Sequence, residues 1–228
     1  MAERMLAARV HERGGTELVI EEIPLPSPGA DEALIRVGAA GVSPDEFGWS
    51  TFCEDEVGNS RLPSIPSHEF SGTIVEIGGD LDDAAVGDEV FGLGDFWTDG
   101  AAAEYVLAKA QTFSAKLARL DHVHAAAMPL SALTAHQALV NRAEMQSDQR
   151  LLVHGAAGGV GSFAVQLSAH LGATVFATAS GADREFVRGL GAEESIDYST
   201  ERFEDRVSEV DVVFDMVGGT TLERSWAA

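Results

Sequence analysis

The chain has 228 residues, with 37 Asp+Glu against 15 Lys+Arg, a formal net charge of -22 and one cysteine, Cys53. Such acidity repels phosphate backbones and anionic membrane surfaces, so nucleic acid and membrane are excluded as partners. A single thiol excludes an internal disulfide framework and any cluster of cysteine ligands, while 45% hydrophobic residues suffice for a globular core in one or two domains.

In the first half, short runs rich in Val, Ile and Phe at 18–22, 33–37, 72–77 and 89–91 predict strands. Turn signals part them, at 24–29, at Gly78-Gly79-Asp80 and at Gly87-Asp88. Many short strands with frequent turns predict an antiparallel barrel or sandwich. The stretch 53–67, with its acids, Gly58, Asn59 and two prolines, reads as a surface loop.

Near residue 125 the period changes. Residues 121–127 predict a short helix and 129–143 a longer one opening on Pro129, where the missing proline N–H costs nothing. The apolar run Leu151-Leu152-Val153-His154 predicts a strand. The helix after it carries Val160, Ala164, Leu167 and Leu171 on one face and is closed by Gly172. A strand at 173–178, a helix at 183–190 closed by Gly191, and strands at 194–196 and 210–216 follow. Alternating strands and helices mean a parallel sheet with right-handed crossovers. The reading is therefore an α/β chain of two domains: a barrel over 1–124 and an incomplete doubly wound sheet over 125–228.

Between the first strand and helix of that sheet lies Ala156-Ala157-Gly158-Gly159-Val160-Gly161, the dinucleotide pattern G-x-G-x-x-G with alanine first. Gly158 lets a pyrophosphate approach the backbone, Gly161 lets the helix pack close to its strand, and the helix N-terminus offers unpaired N–H groups. Strand before and helix after are the context the motif requires. At the end of the next strand, where an NAD site places an acid, stands Ser180. A serine leaves room for a 2′-phosphate and can donate to it, and Arg184 adds a planar cation in the following helix. Together they favour NADPH as cofactor; the other reading of Arg184 is a solvated residue paired with an acid.

These segments resemble the medium-chain dehydrogenase/reductase superfamily, and within it the zinc-independent NADPH quinone oxidoreductase and enoyl reductase-like branch. Ala39-Ala40-Gly41-Val42-Ser43-Pro44 resembles the family's AAGVNP, His68-Glu69-Phe70-Ser71-Gly72 its GHEFSG, and Gly87-Asp88-Glu89-Val90-Phe91-Gly92 its VGDRVFG. Leu133-Thr134-Ala135 matches the LTA leading towards the nicotinamide, and Asp197-Tyr198 a DY pair near the adenosine phosphate. The resemblance implies a GroES-like substrate domain before a Rossmann domain, with the chemistry in the cleft between them. It implies a cofactor site at Thr134, Ala157, Gly158, Gly159, Val160, Gly161, Ser180, Arg184, Tyr198 and Val217.

The family's zinc ligands align with Ser43, His68 and Leu130, which cannot supply three ligands, so no metal is expected. His68 and Glu69 read either as a buried hydrogen-bonded pair or as part of the substrate pocket. The implied chemistry is hydride transfer from NADPH to a quinone or α,β-unsaturated carbonyl, with Ser43 as the candidate catalytic hydrogen-bond donor. Ser43 and Glu46 stand where the family's NPxD pattern has Asn and Asp. Tyr105, His136 and His154 read as structural. A zinc-type alcohol dehydrogenase and a non-enzymatic nucleotide-binding protein are the alternatives. The expected partner is a small molecule. The absence of a secretory run and of 18 uninterrupted apolar residues points to the cytoplasm. The chain ends after the fourth strand, so the family's homodimer strand is missing, and the fourth strand is expected to form a self-associating edge.

Overall fold

The computed structural model of the chain describes residues 3–15, 17–79, 81 and 83–226. The chain folds as two compact units, Met1–Pro129 and Leu130–Ala228.

The first unit opens with an antiparallel hairpin, β1 (Arg4–Arg9) and β2 (Val19–Pro24). After β3 (Glu32–Gly41) come a single helical turn, α1 (Ser50–Cys53), then β4 (Glu69–Ile77), β5 (Glu89–Leu93), β6 (Tyr105–Lys109) and β7 (Phe113–Ala115). These strands form an antiparallel sheet in the order β6-β3-β4-β5-β7. Its core is Ala33, Ile35, Phe70, Ile74, Val90 and Val106 with small alanines. Helix α2 (His122–Ala126), capped by the Asp121 carboxylate on the His124 amide, packs on β3 and β4. The two central strands approach closely at Gly72, where a Cβ would lie 2.2 Å from the Arg36 carbonyl oxygen. The antiparallel architecture is the one expected, but β1, β6 and β7 carry no pattern that the sequence reading singled out. β1 and β7 contain no Val or Ile, and β6 contains one, Val106, too few to mark a strand by composition.

The stretch 53–67 is a surface loop only in part. Residues 56–60 are exposed, but Ser64, Ile65, Pro66 and Ser67 are buried. Their backbone pairs with distant segments: Ser64 exchanges hydrogen bonds with Val10, and Gly100 and Ala102 donate to Ile65 and Pro66. Buried peptide groups need such partners, and here they come from residues far along the chain.

The second unit begins with α3 (Pro129–His136), which runs on as π-helical turns over Gln137–Arg142. Then come β8 (Arg150–His154), α4 (Gly159–His170), β9 (Thr174–Ala179), α5 (Arg184–Gly189), β10 (Glu194–Asp197), β11 (Val212–Asp215) and α6 (Thr220–Ser225). All four strands are parallel, in the order β10-β9-β8-β11, which is the 3-2-1-4 half of a doubly wound sheet. Leu151, Leu152 and Val153 are all fully buried because both faces of β8 are covered. Leu151 and Val153 join one cluster with Ala164 and Val165 of α4, and Leu152 joins another with Phe176 and Ile196.

Candidate dinucleotide site

The predicted glycine turn joins β8 to α4. Gly155 takes a positive φ of 75°, and Gly158 is the N-cap of α4 in extended conformation, accepting the first helical bond from the Ser162 amide at 2.9 Å. Gly158 has no side chain to cap this terminus, so the first-turn N–H groups lack the usual N-cap acceptor. A Cβ at Gly161 would lie 2.2 Å from the Gly155 carbonyl oxygen, so only glycine lets α4 sit this close to its strand. At Gly158 a Cβ would meet only that same oxygen, at 3.3 Å. The outer side of Gly158 is therefore open, a cradle that a side chain would fill, and it suits an anionic pyrophosphate.

Ala157, Gly158, Gly159, Val160 and Gly161 thus lie together in one turn. Two further groups border it. A Cβ at Gly159 would be 2.9 Å from the Ser131 hydroxyl of α3, and one at Gly155 would be 3.5 Å from a Val217 methyl. Val217 follows β11, exposed, its amide donating to Asp215 at 2.8 Å. Thr134 sits one turn beyond Ser131, exposed, with its hydroxyl donating to the Leu130 carbonyl at 2.7 Å. Ser131 carries no motif, and the sequence reading missed it.

Ser180, Arg184 and Tyr198 gather at the ends of β9 and β10, where Asp197 is in register with Ala179. The Ser180 hydroxyl donates to Asp183 at 2.6 Å, and Arg184 Nη2 donates to Glu201 Oε2. Arg184 is thus paired with an acid. Asp197 accepts from the Ser199 hydroxyl at 2.6 Å and its amide at 3.0 Å, and these bonds hold its carboxyl below the usual range. Glu201 is held low too, first by the Asp197 amide and then by Arg184. Tyr198 is 67% exposed.

His154 ends β8, fully buried. The Ser225 hydroxyl donates to Thr221, so it accepts from Nε2–H at 3.0 Å; the Thr178 hydroxyl donates to Nδ1 at 3.0 Å. Burial pushes this imidazole below its ordinary pKa. Its role is structural: it ties β8, β9 and α6 directly beneath the glycine turn.

In the first unit Ser43 is half-buried on extended backbone before a 3₁₀ turn, Pro44–Gly48. His68 is buried and pairs with Glu46, Nδ1 to Oε1 at 2.9 Å, while Nε2 lies 3.3 Å from the Thr98 carbonyl oxygen. The Glu46 carboxylate also accepts from the Ser67 amide at 2.6 Å. Each ring nitrogen thus faces an oxygen. Cys53 is buried in a separate apolar cluster with Phe52 and Val10. Among the described residues no three His, Cys, Asp or Glu side chains converge as metal ligands. The donor set does not fit a zinc ion.

Two family models match the chain. The alcohol dehydrogenase GroES-like domain covers residues 29–118 and the zinc-binding dehydrogenase model covers 159–228. A quinone-oxidoreductase homolog of the chloroplast from Spinacia oleracea is 36% identical over 194 residues, 82% of this chain and 59% of its own length. An NADPH-dependent alkenal/one oxidoreductase of the chloroplast from Arabidopsis thaliana is 36% identical over 218 residues, 90% of this chain and 55% of its own. The solved quinone oxidoreductase from Coxiella burnetii superposes with a TM-score of 0.87 at 34% identity, over 98% of this chain and 72% of that one. The chain thus spans little more than half the length of these two plant relatives.

Proposed function

This chain belongs to the medium-chain dehydrogenase/reductase superfamily, on its quinone oxidoreductase-like branch, and we propose from that premise that it serves NADPH-dependent reduction of a quinone or α,β-unsaturated carbonyl without a metal. The observation that carries the reading is the open, uncapped start of α4 at Gly158, with Ser180 and Arg184 at the end of the next strand. Relatives named as quinone and alkenal/one oxidoreductases support the substrate class.

The bound nicotinamide would supply a hydride to an electron-poor carbon. The chain's part is to bind and orient. The α4 terminus and the turn 157–161 hold the pyrophosphate, Val217 and Thr134 border the cofactor towards its nicotinamide end, and Ser180, Arg184 and Tyr198 hold the adenosine end. Ser43 would donate a hydrogen bond to the substrate carbonyl oxygen, polarising it as charge develops. A reduced quinone takes its protons from water; an enone that has gained the hydride at its β-carbon would also take one proton at its α-carbon, with water as the source in this reading. The absence of a metal in this reading rests on the partners of His68, against the zinc named in one matching model. A cytoplasmic location suits the buried free thiol of Cys53.

Calorimetric titration with NADPH and NADH tests the site. Gly158→Val should abolish binding of both while the fold persists, because the new side chain fills the cradle. Arg184→Ala should weaken NADPH roughly tenfold or more and leave NADH nearly unchanged. Retained NADPH affinity in the Gly158 variant would refute the assignment. Substrate follows from NADPH oxidation across a panel of quinones and enones, with Ser43→Ala beside the parent and metal analysis of the same sample.

A further inference from the structure

Both groups that would read a 2′-phosphate already face carboxylates. Ser180 gives its only hydroxyl proton to Asp183 at 2.6 Å. Arg184 gives Nη2 to Glu201 Oε2. Glu201 is in turn fixed from two other sides: its Oε1 takes Arg206 Nη1, and its Oε2 takes the Asp197 amide at 3.1 Å. Arg206 is shared with Glu194. The carboxylate is therefore anchored by the loop that carries it and clamps Arg184 from a prepared position. Asp197 adds a further charge nearby: a Cβ at Gly181 would lie 2.6 Å from its Oδ2.

We propose that Glu201 is a specificity-determining residue that competes with the cofactor 2′-phosphate for the Arg184 guanidinium and so lowers the preference for NADPH over NADH. The proposal rests on Arg184 reading that phosphate, as argued above. A phosphate monoester carries nearly two negative charges at neutral pH, and it must share Arg184 with Glu201 or displace it. The ribose 2′-hydroxyl of NADH carries no charge, needs no cation, and can itself donate to a carboxylate. Replacing Glu201 by Gln removes the charge but keeps an oxygen for the Asp197 amide, so Arg184 is released while the loop keeps its anchor. The effect is read in affinity rather than turnover, because the competition exists in the binding step.

The test is calorimetric titration of NADPH and NADH against the parent chain, E201Q, R184A and the double variant, with thermal unfolding of each as a check on folding. E201Q should tighten NADPH about threefold to tenfold and move NADH by less than twofold. In the R184A background the same change should leave the NADPH/NADH ratio within about twofold. Glu201→Asp, which keeps the charge but shortens its reach, is the second variant and should shift the ratio in the same direction by less. If R184A loses NADPH selectively while E201Q and Glu201→Asp leave the ratio unchanged, the phosphate reading stands and the role of Glu201 is overturned. If R184A weakens both cofactors alike, Arg184 does not read the phosphate and both claims fall.

Discussion

Each unit of the chain buries one histidine, and the two are satisfied in opposite ways. His68, in the first unit, is surrounded by acceptors: the Glu46 carboxylate at Nδ1 and the Thr98 carbonyl at Nε2. His154, in the second, is held between two hydroxyls, Thr178 and Ser225. A hydroxyl can donate or accept as needed, so a neutral ring is fully paired there in one tautomer. A carboxylate only accepts, and in the same buried place it also serves the Ser67 amide. Residue type and burial are shared, so the partners alone set how each buried histidine is held: by a carboxylate and a carbonyl at His68, by two hydroxyls at His154.

The sharpest way to break the contrast is Glu46→Ala. It strands His68 and the Ser67 amide in the core at once, and stability of the first unit should fall by about 2–6 kcal/mol, for two orphaned buried groups at about 1–3 kcal/mol each. Glu46→Gln keeps an acceptor and should cost clearly less. Equal losses for the two variants in urea unfolding would show that the charge-bearing acceptor is not what holds His68.

On the other side, Thr178→Val removes one hydroxyl from His154 without changing volume much. The expected loss is about 1–3 kcal/mol, the usual penalty for an orphaned buried acceptor. It should fall on the unfolding of the second unit and spare the first.

Acid acts on His154 by a different route. The imidazole of His154 is pushed below its ordinary value of 6.5 mainly by burial, with Asp215 and Glu204 opposing and Arg224 assisting. A base with a depressed folded pKa takes up its proton more readily when unfolded. The stability linked to a neutral His154 is therefore complete above about pH 6.5 and is lost as pH falls below it. Melting temperatures from pH 8 down to pH 5 should decline in the parent chain, and His154→Gln should flatten the decline over that window. Parallel pH profiles for the two proteins would remove His154 as the cause.

The smallest effect is a gain. Ser67 holds a left-handed φ of 73°, and its buried hydroxyl has no described partner. Ser67→Gly relieves strain of about 1–2 kcal/mol and a buried polar group, against about 1 kcal/mol of added backbone entropy in the unfolded chain. A net stabilisation of roughly 1 kcal/mol should appear as a higher melting temperature, with the Glu46–His68 contact intact. A loss instead would mean that the serine hydroxyl has a partner that matters.

Much of the second unit could be read directly. The run 151–153, the glycine turn and the amphipathic face of α4 all lie within some 20 consecutive residues, and each states its own requirement locally: cover on both faces, a close backbone approach, one apolar stripe. That the strands run parallel follows from the same alternation. In the first unit the pattern gave the antiparallel class but not β1, β6 or β7, and it placed the buried segment 64–67 on the surface, because their burial comes from strands that return from elsewhere.

The chemistry-bearing residues divide along the same line. Gly158, Gly161, Ser180 and Arg184 are recognisable because a motif or a strand end marks their place. What those residues face is not. Glu46 meets His68 from 22 residues away and Glu201 meets Arg184 from 17, while Ser131 reaches Gly159 and Val217 reaches Gly155 only once α3 and β11 have docked on the sheet. A local pattern records which face of an element must be covered. It does not record which distant side chain arrives to cover it, since that depends on where the chain returns after each crossover. The amino-acid sequence alone determined the parallel sheet and its glycine turn; the tertiary structure decided that the cation after the next strand already holds a carboxylate.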